Sequence, residues 1–138
     1  MKFLYNETPI QEDIKVLENE LLEFNRNKIE NYGYSRFGYK YVNASDSIIA
    51  GIDCQVGGGW LYIVSLWVAK SERGKGMGSE LLYSAERKGI EKGCHGAYLY
   101  TYSFQSPNFY EKYGYVIFGK LENFCGDEEK LFLKKRLA

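Results

Sequence analysis

From Leu66 to Ser79 the chain reads Leu66-Trp67-Val68-Ala69-Lys70-Ser71-Glu72-Arg73-Gly74-Lys75-Gly76-Met77-Gly78-Ser79, and no other stretch restricts the fold as tightly. Upstream of it, Trp60 to Val68 is an apolar run suited to a buried strand. Downstream, Gly78, Leu81, Leu82, Ala85 and Gly89 recur at helical spacing, which predicts an amphipathic helix from about Gly76 to Lys92, stopped by Gly93. Between the two lies a loop, Ala69 to Lys75. Glycines let a backbone approach a ligand closely, and a helix start offers unpaired N–H groups and the positive end of the helix dipole. Arg73 and Lys75 add positive charge, and the Ser79 hydroxyl adds a donor. The physical product is a pyrophosphate cradle.

Two familiar cradles do not fit. The Walker pattern needs Gly-Lys-Ser/Thr after a four-residue gap from a glycine, and this loop lacks it. The dinucleotide fingerprint is G-x-G-x-x-G, whereas Gly74, Gly76 and Gly78 are spaced G-x-G-x-G in a chain with one crossover unit. The competing structural reading is a glycine-rich turn that only packs a helix onto a sheet.

The rest of the chain supplies that sheet. Lys2 to Tyr5 reads as a short strand. Thr8 reads as a helix N-cap with Pro9 in the first turn and Gln11 closing a capping box. Ile10, Ile14, Leu17, Leu21 and Phe24 then form one apolar stripe of a helix reaching about Asn31. Strands are predicted over Phe37–Asn43, Ile48–Val56 and Trp60–Val68, with Gly57-Gly58-Gly59 as a tight hairpin turn. Ala97–Ser103 follows the central helix, so its pairing with Trp60–Val68 is expected to be parallel. Pro107 opens a short helix, Asn108 to Tyr113, ended by Gly114, and Tyr115–Gly119 and Lys130–Lys135 complete the sheet. With 138 residues and no linker or repeat, residues 1–138 read as a single α+β domain with a mixed, mostly antiparallel sheet flanked by helices.

Composition removes several classes of function. Eighteen basic residues balance eighteen acidic ones, which argues against a nucleic-acid or anionic-membrane binder. No apolar run is long enough to cross a bilayer, and the opening residues do not read as a signal peptide. Cys54, Cys94 and Cys125 are odd in number and widely spaced, so no disulfide framework is expected and the cytoplasm is the natural compartment. His95 is the single histidine and no Cys-x-x-Cys pair exists, so no metal site is expected. Aromatic residues reach 17%, with thirteen tyrosines; they read mainly as strand formers, with an aromatic acceptor wall as the sharper alternative.

Arg73-Gly74-Lys75-Gly76-Met77-Gly78 resembles the Q/R-x-x-G-x-G/A signature of the GNAT superfamily of N-acetyltransferases. A second segment, Ser103-Phe104-Gln105-Ser106-Pro107-Asn108-Phe109-Tyr110-Glu111-Lys112-Tyr113-Gly114-Tyr115, is similar to the superfamily's N-x-x-A-x-x-F-Y-x-x-x-G-F/Y. That stretch and the closing Phe132-Leu133-Lys134-Lys135-Arg136-Leu137 look like a small bacterial subgroup of unassigned substrate. The resemblance implies that acetyl-coenzyme A is the cosubstrate, with its diphosphate on the amides around Gly74 to Ser79. It implies that the backbone of Leu66, Trp67 and Val68 holds the pantetheine arm, and that Ser103 and Phe109 contact the coenzyme. Small enzymes of this kind commonly pair as homodimers.

The same resemblance makes Tyr110 the expected catalytic acid. Attack of an amine on a thioester expels a thiolate, and a phenol of ordinary pKa about 10 keeps a proton to give it. An alkyl amine of pKa about 10.4 is only about a thousandth neutral at pH 7, a cost of roughly 4 kcal/mol that a general base would relieve. Tyr62 to Trp67 contains no carboxylate; Asp53 and Glu122 are candidates without a decisive argument. Along the next strand, Tyr98, Tyr100 and Tyr102 share one face and Leu99, Thr101 and Ser103 the other. Cys54 sits in an apolar strand, Cys125 has no adjacent histidine, and Cys94 and His95 read as structural, so direct transfer in a ternary complex is expected rather than a covalent acetyl-enzyme. The acceptor is a small-molecule or peptide amine. The alternative is a non-catalytic acyl-CoA-binding or sensing module.

Overall fold

The computed structural model describes residues 1–26 and 33–138. It divides into two units, Met1–Tyr32 and Gly33–Ala138. The first holds helix α1, Gln11–Arg26, with Glu12 and Asp13 in its first turn, where negative charge favours the helix dipole. The start differs from expectation: the Ile10 carbonyl accepts from the Ile14 amide at 3.2 Å, so Ile10 and not Thr8 occupies the capping position. Lys2 to Tyr5 form no strand. A strand exists only where a neighbour takes its backbone groups, which a local apolar pattern does not guarantee. The expected helix end near Asn31 lies outside the described residues.

The second unit carries a six-stranded sheet: β1 Ser35–Val42, β2 Ile48–Gly57, β3 Trp60–Val68, β4 Gly96–Tyr102, β5 Val116–Phe124 and β6 Glu128–Arg136. Their spatial order is β1-β2-β3-β4-β6-β5. All neighbours are antiparallel except β3 and β4, as the intervening helix α2, Met77–Glu91, requires. Gly58 and Gly59, with φ of 60° and 83°, make the two-residue turn between β2 and β3. The last two strands run further than the sequence indicates, to Phe124 and from Glu128, because they pair with each other as a hairpin.

One face of this sheet carries the core. Ala50, Ile52, Cys54, Val56, Leu61, Ile63, Ala97, Leu99, Leu131 and Leu133 are buried with Leu81, Leu82 and Ala85 of α2. Burying each of the large aliphatic side chains contributes about 1.5–3 kcal/mol. The helix ends as anticipated at Gly93: the Cys94 amide donates to the Gly89 carbonyl and the Gly93 amide to the Ile90 carbonyl, both at 2.9 Å. This paired closure satisfies carbonyls the helix would otherwise leave open.

Candidate active site

The site begins where two strands part. β3 and β4 pair only at Trp60–Gly96, Leu61–Ala97 and Tyr62–Tyr98. Beyond Tyr62, the β4-facing edge of β3 therefore presents backbone N–H and C=O groups with no strand to receive them. A bulge sharpens the divergence: Asp53 faces Ser65 and Cys54 faces Ile63, which leaves Val64 as an extra residue on β3. One extra residue reverses the alternation of side chains. Thus Leu61 and Ile63 enter the core, and after the bulge it is Leu66 and Val68 that pack against it, while Trp67 turns outward.

A cleft of about 800 Å³ opens along this free edge. It is lined by Leu66, Trp67 and Val68 of β3, by Arg73, Gly74, Gly76, Met77, Gly78 and Ser79 of the loop and the start of α2, and by Phe109 and Tyr110. Of the residues expected to hold the coenzyme or give the proton, only Lys75 and Ser103 are not part of this lining. The Ser103 hydroxyl donates to the Glu128 carboxylate and accepts from the Glu129 amide at 2.8 Å, so it ties β4 to β6. Lys75 Nζ lies 3.0 Å from Glu72 Oε2 on the exposed rim, where the acid partly cancels its charge. Thr101, Phe104, Gln105 and Lys112 line the cleft and were missed. Only the spatial return of β4 and α3, Pro107–Lys112, brings them there.

The glycines at the α2 end have a conformational role. Gly74 and Gly76 hold φ of 78° and 86°, and a Cβ at either would meet nothing within 4 Å. Their φ, not crowding, excludes other residues. Gly76 caps α2 without any side-chain hydrogen bond. The Glu80 amide takes the Gly76 carbonyl at 3.1 Å, and the Ser79 hydroxyl donates to the same oxygen at 3.0 Å. Among the described residues, no protein acceptor takes the N–H groups from Gly74 to Ser79. Arg73 Nε donates to the Val68 carbonyl at 3.1 Å, fastening the loop to the end of β3. Gly78 admits the Phe109 ring, whose Cζ would stand 3.4 Å from a Cβ there.

Tyr110 stands on α3 with its ring edge-on to Phe109 at 5.2 Å and to Tyr115 at 5.9 Å. Burial pushes its phenol up to about 12, and no charged or hydrogen-bonding group adds to the shift. Behind it, Tyr115 donates to Glu86 Oε2 at 2.7 Å, and Lys135 Nζ lies 2.9 Å from Glu86 Oε1. Burial, then the Glu86 charge, raises the Tyr115 phenol well above its usual value. Glu86 also escaped the sequence reading, because an acid on a helix reads as solvent-facing.

Neither proposed base lines the cleft. Asp53 takes Arg36 Nε on Oδ1 at 3.0 Å, and that hydrogen bond holds its carboxyl below the usual range. Glu122 lies on β5, the outermost strand, two strands from β4. Burial pushes the Cys54 thiol up to about 12, and burial also raises Cys94. Thiols kept protonated are poor nucleophiles. Among the described residues, no group of three or more His, Cys, Asp or Glu could hold a metal ion.

Comparison with known proteins points the same way. The model of the acetyltransferase (GNAT) family matches residues 4–115. Acetyltransferase Atu2258 of Agrobacterium fabrum is 27% identical over 136 residues, 99% of each chain. An acetyltransferase crystal structure from Agrobacterium tumefaciens superposes with a TM-score of 0.92 at 27% identity, covering 99% of both chains. Another from Bacillus cereus gives 0.87 at 28% identity, covering 97% of this chain and 98% of that one.

Proposed function

This chain belongs to the acetyltransferase (GNAT) family, and on that premise we propose that it transfers acetyl from acetyl-CoA to an amine by direct attack, with Tyr110 as the proton donor. The observation that carries the reading is the row of unengaged amides from Gly74 to Ser79 at one end of the cleft that Tyr110 also lines. Such amides at a helix start suit a diphosphate. Leu66 to Val68, with their open strand edge, suit the amide-bearing pantetheine arm as a further strand would. Arg73, already spent on Val68, is a fastener of the loop in this reading, and Lys112 supplies charge at the cleft wall.

The chemistry follows from those placements. The amine nitrogen bonds to the thioester carbonyl carbon as the carbon–sulfur bond breaks. The amine gives up one proton, and Tyr110 supplies one to the departing sulfur, so the products are an N-acetyl compound and the free thiol. A phenol held near 12 carries its proton throughout the neutral range. Burial of Cys54 and Cys94 speaks against an acetyl-cysteine stage. The free cysteines suit a reducing compartment such as the cytoplasm. Calorimetry with CoA, followed by thiol release across a panel of amines, tests the reading. No affinity for CoA would overturn it.

A further inference from the structure

The face of the sheet turned away from α2 holds a continuous row of rings. Phe104, which lines the cleft, stacks on Tyr102 with centroids 5.2 Å apart and planes within 3°. Tyr102 meets Phe124 at 5.3 Å and Tyr100 edge-on at 5.9 Å, and Tyr100 meets Phe132 at 6.3 Å. At the parting of β3 and β4, Tyr62 stacks on Tyr98. The row thus begins inside the cleft and runs out across β4 and β6. Phe104 is 60% exposed and Tyr100 39%, more than packing within this sheet demands.

A cation stands at the far end of the row. Lys130 Nζ lies 4.0 Å above the Tyr100 ring, and 5.6–5.7 Å from Phe132 and Phe124. Among the described residues, no carboxylate lies within ion-pair distance of it. Of the acids near it in sequence, Glu128 is engaged by Ser103. An aromatic floor beside an ammonium that no carboxylate pairs attracts a flat anion.

The same arrangement resolves the missing base. An alkyl amine reaches the enzyme as ammonium and must lose a proton before it can attack. An aryl amine delocalises its lone pair into the ring, is neutral at pH 7, and needs no base to begin.

We propose that the acetyl acceptor is an aromatic amine bearing an acidic group, its ring lying on the row from Phe104 to Tyr100 and its acid on Lys130. This rests on the acetyl-CoA reading of the cleft and narrows its substrate. The attack remains that described above, with acetyl-CoA the sole co-reactant.

The test uses the full chain, CoA calorimetry and thiol release with 4-aminobenzoate, aniline, benzylamine and spermidine. The expected order puts 4-aminobenzoate highest in kcat/KM. Lys130→Met, which keeps the apolar stem, should raise KM for 4-aminobenzoate about tenfold, the loss of one charge-assisted contact, with kcat and aniline turnover unchanged. Lys130→Arg should restore most of it. Calorimetry shows CoA affinity, and so an intact fold, in each variant. Highest kcat/KM for spermidine or benzylamine, or an equal effect of Lys130→Met on aniline, overturns the proposal while leaving the cleft reading intact. A dimer that Lys130→Met dissociates without altering KM assigns the face to a second copy and also overturns it. Absent CoA affinity in the unsubstituted chain overturns both.

Discussion

The rings of Tyr62 and Tyr98 stack 4.8 Å apart, 16° from parallel, across the last paired step of β3 and β4. They close the fork where the sheet opens. One residue later, Ile63 still enters the core, and then the Val64 bulge starts the divergence that makes the cleft. Truncating either ring removes contact area at the point where separation begins. Tyr98→Ala is expected to cost about 0.5–1.5 kcal/mol of stability from the lost ring pair, beyond the lost burial. A urea titration measures it; an unchanged midpoint would show that the fork needs no clasp.

Tyr110→Phe leaves the ring contacts to Phe109 and Tyr115 in place and deletes only the hydroxyl. The expected outcome is a fall in kcat of about 10²–10⁴-fold, the range for loss of a general acid, with CoA affinity unchanged. Thiol-release kinetics beside calorimetry separate the two quantities. Equal loss of both would assign Tyr110 to binding.

Gly76→Ala and Gly93→Ala place the same strain in different surroundings. Both glycines have φ near +87°, at 86° and 88°, and open space at Cβ, so each substitution should cost about 1–2 kcal/mol. Only Gly76 bears on the unengaged amides, so only Gly76→Ala should also weaken CoA binding. Matched affinities in the two variants would detach the loop from the coenzyme.

The Tyr110 phenol is raised from 10 to about 12 in the folded chain, so its neutral form is favoured by folding. That contribution is complete below pH 10 and is lost as pH rises through about 12. Stability should therefore fall between those values, and less steeply in Tyr110→Phe. Alkaline denaturation followed by circular dichroism reads the difference; parallel curves would mean that the phenol titrates normally.

Cys125 is exposed whereas Cys54 and Cys94 are buried with raised thiol pKa values. At pH 8 a thiol reagent should modify Cys125 first, by at least tenfold in rate, since it alone of the three is open to the reagent. Acetyl transfer should survive that modification. Its loss would reopen a covalent route.

Local chemistry made much of this protein legible in its sequence. Trp60–Val68, the amphipathic α2, the Gly58-Gly59 turn, the Gly93 stop and the parallel β3–β4 pairing follow from periodicity, turn residues and connection length, which act over a few neighbours. Gly74 and Gly76 marked the turn into α2 for the same reason: positive φ is a property of the residue itself. Tertiary structure alone decided what distant residues share. It gave Ser103 to Glu128, set Glu86 beneath Tyr115 and Lys135, denied Lys2–Tyr5 a strand, and aligned Phe104, Tyr102 and Tyr100 towards Lys130. Each of those outcomes depends on which elements lie side by side, and no short window of sequence encodes the partner across the sheet.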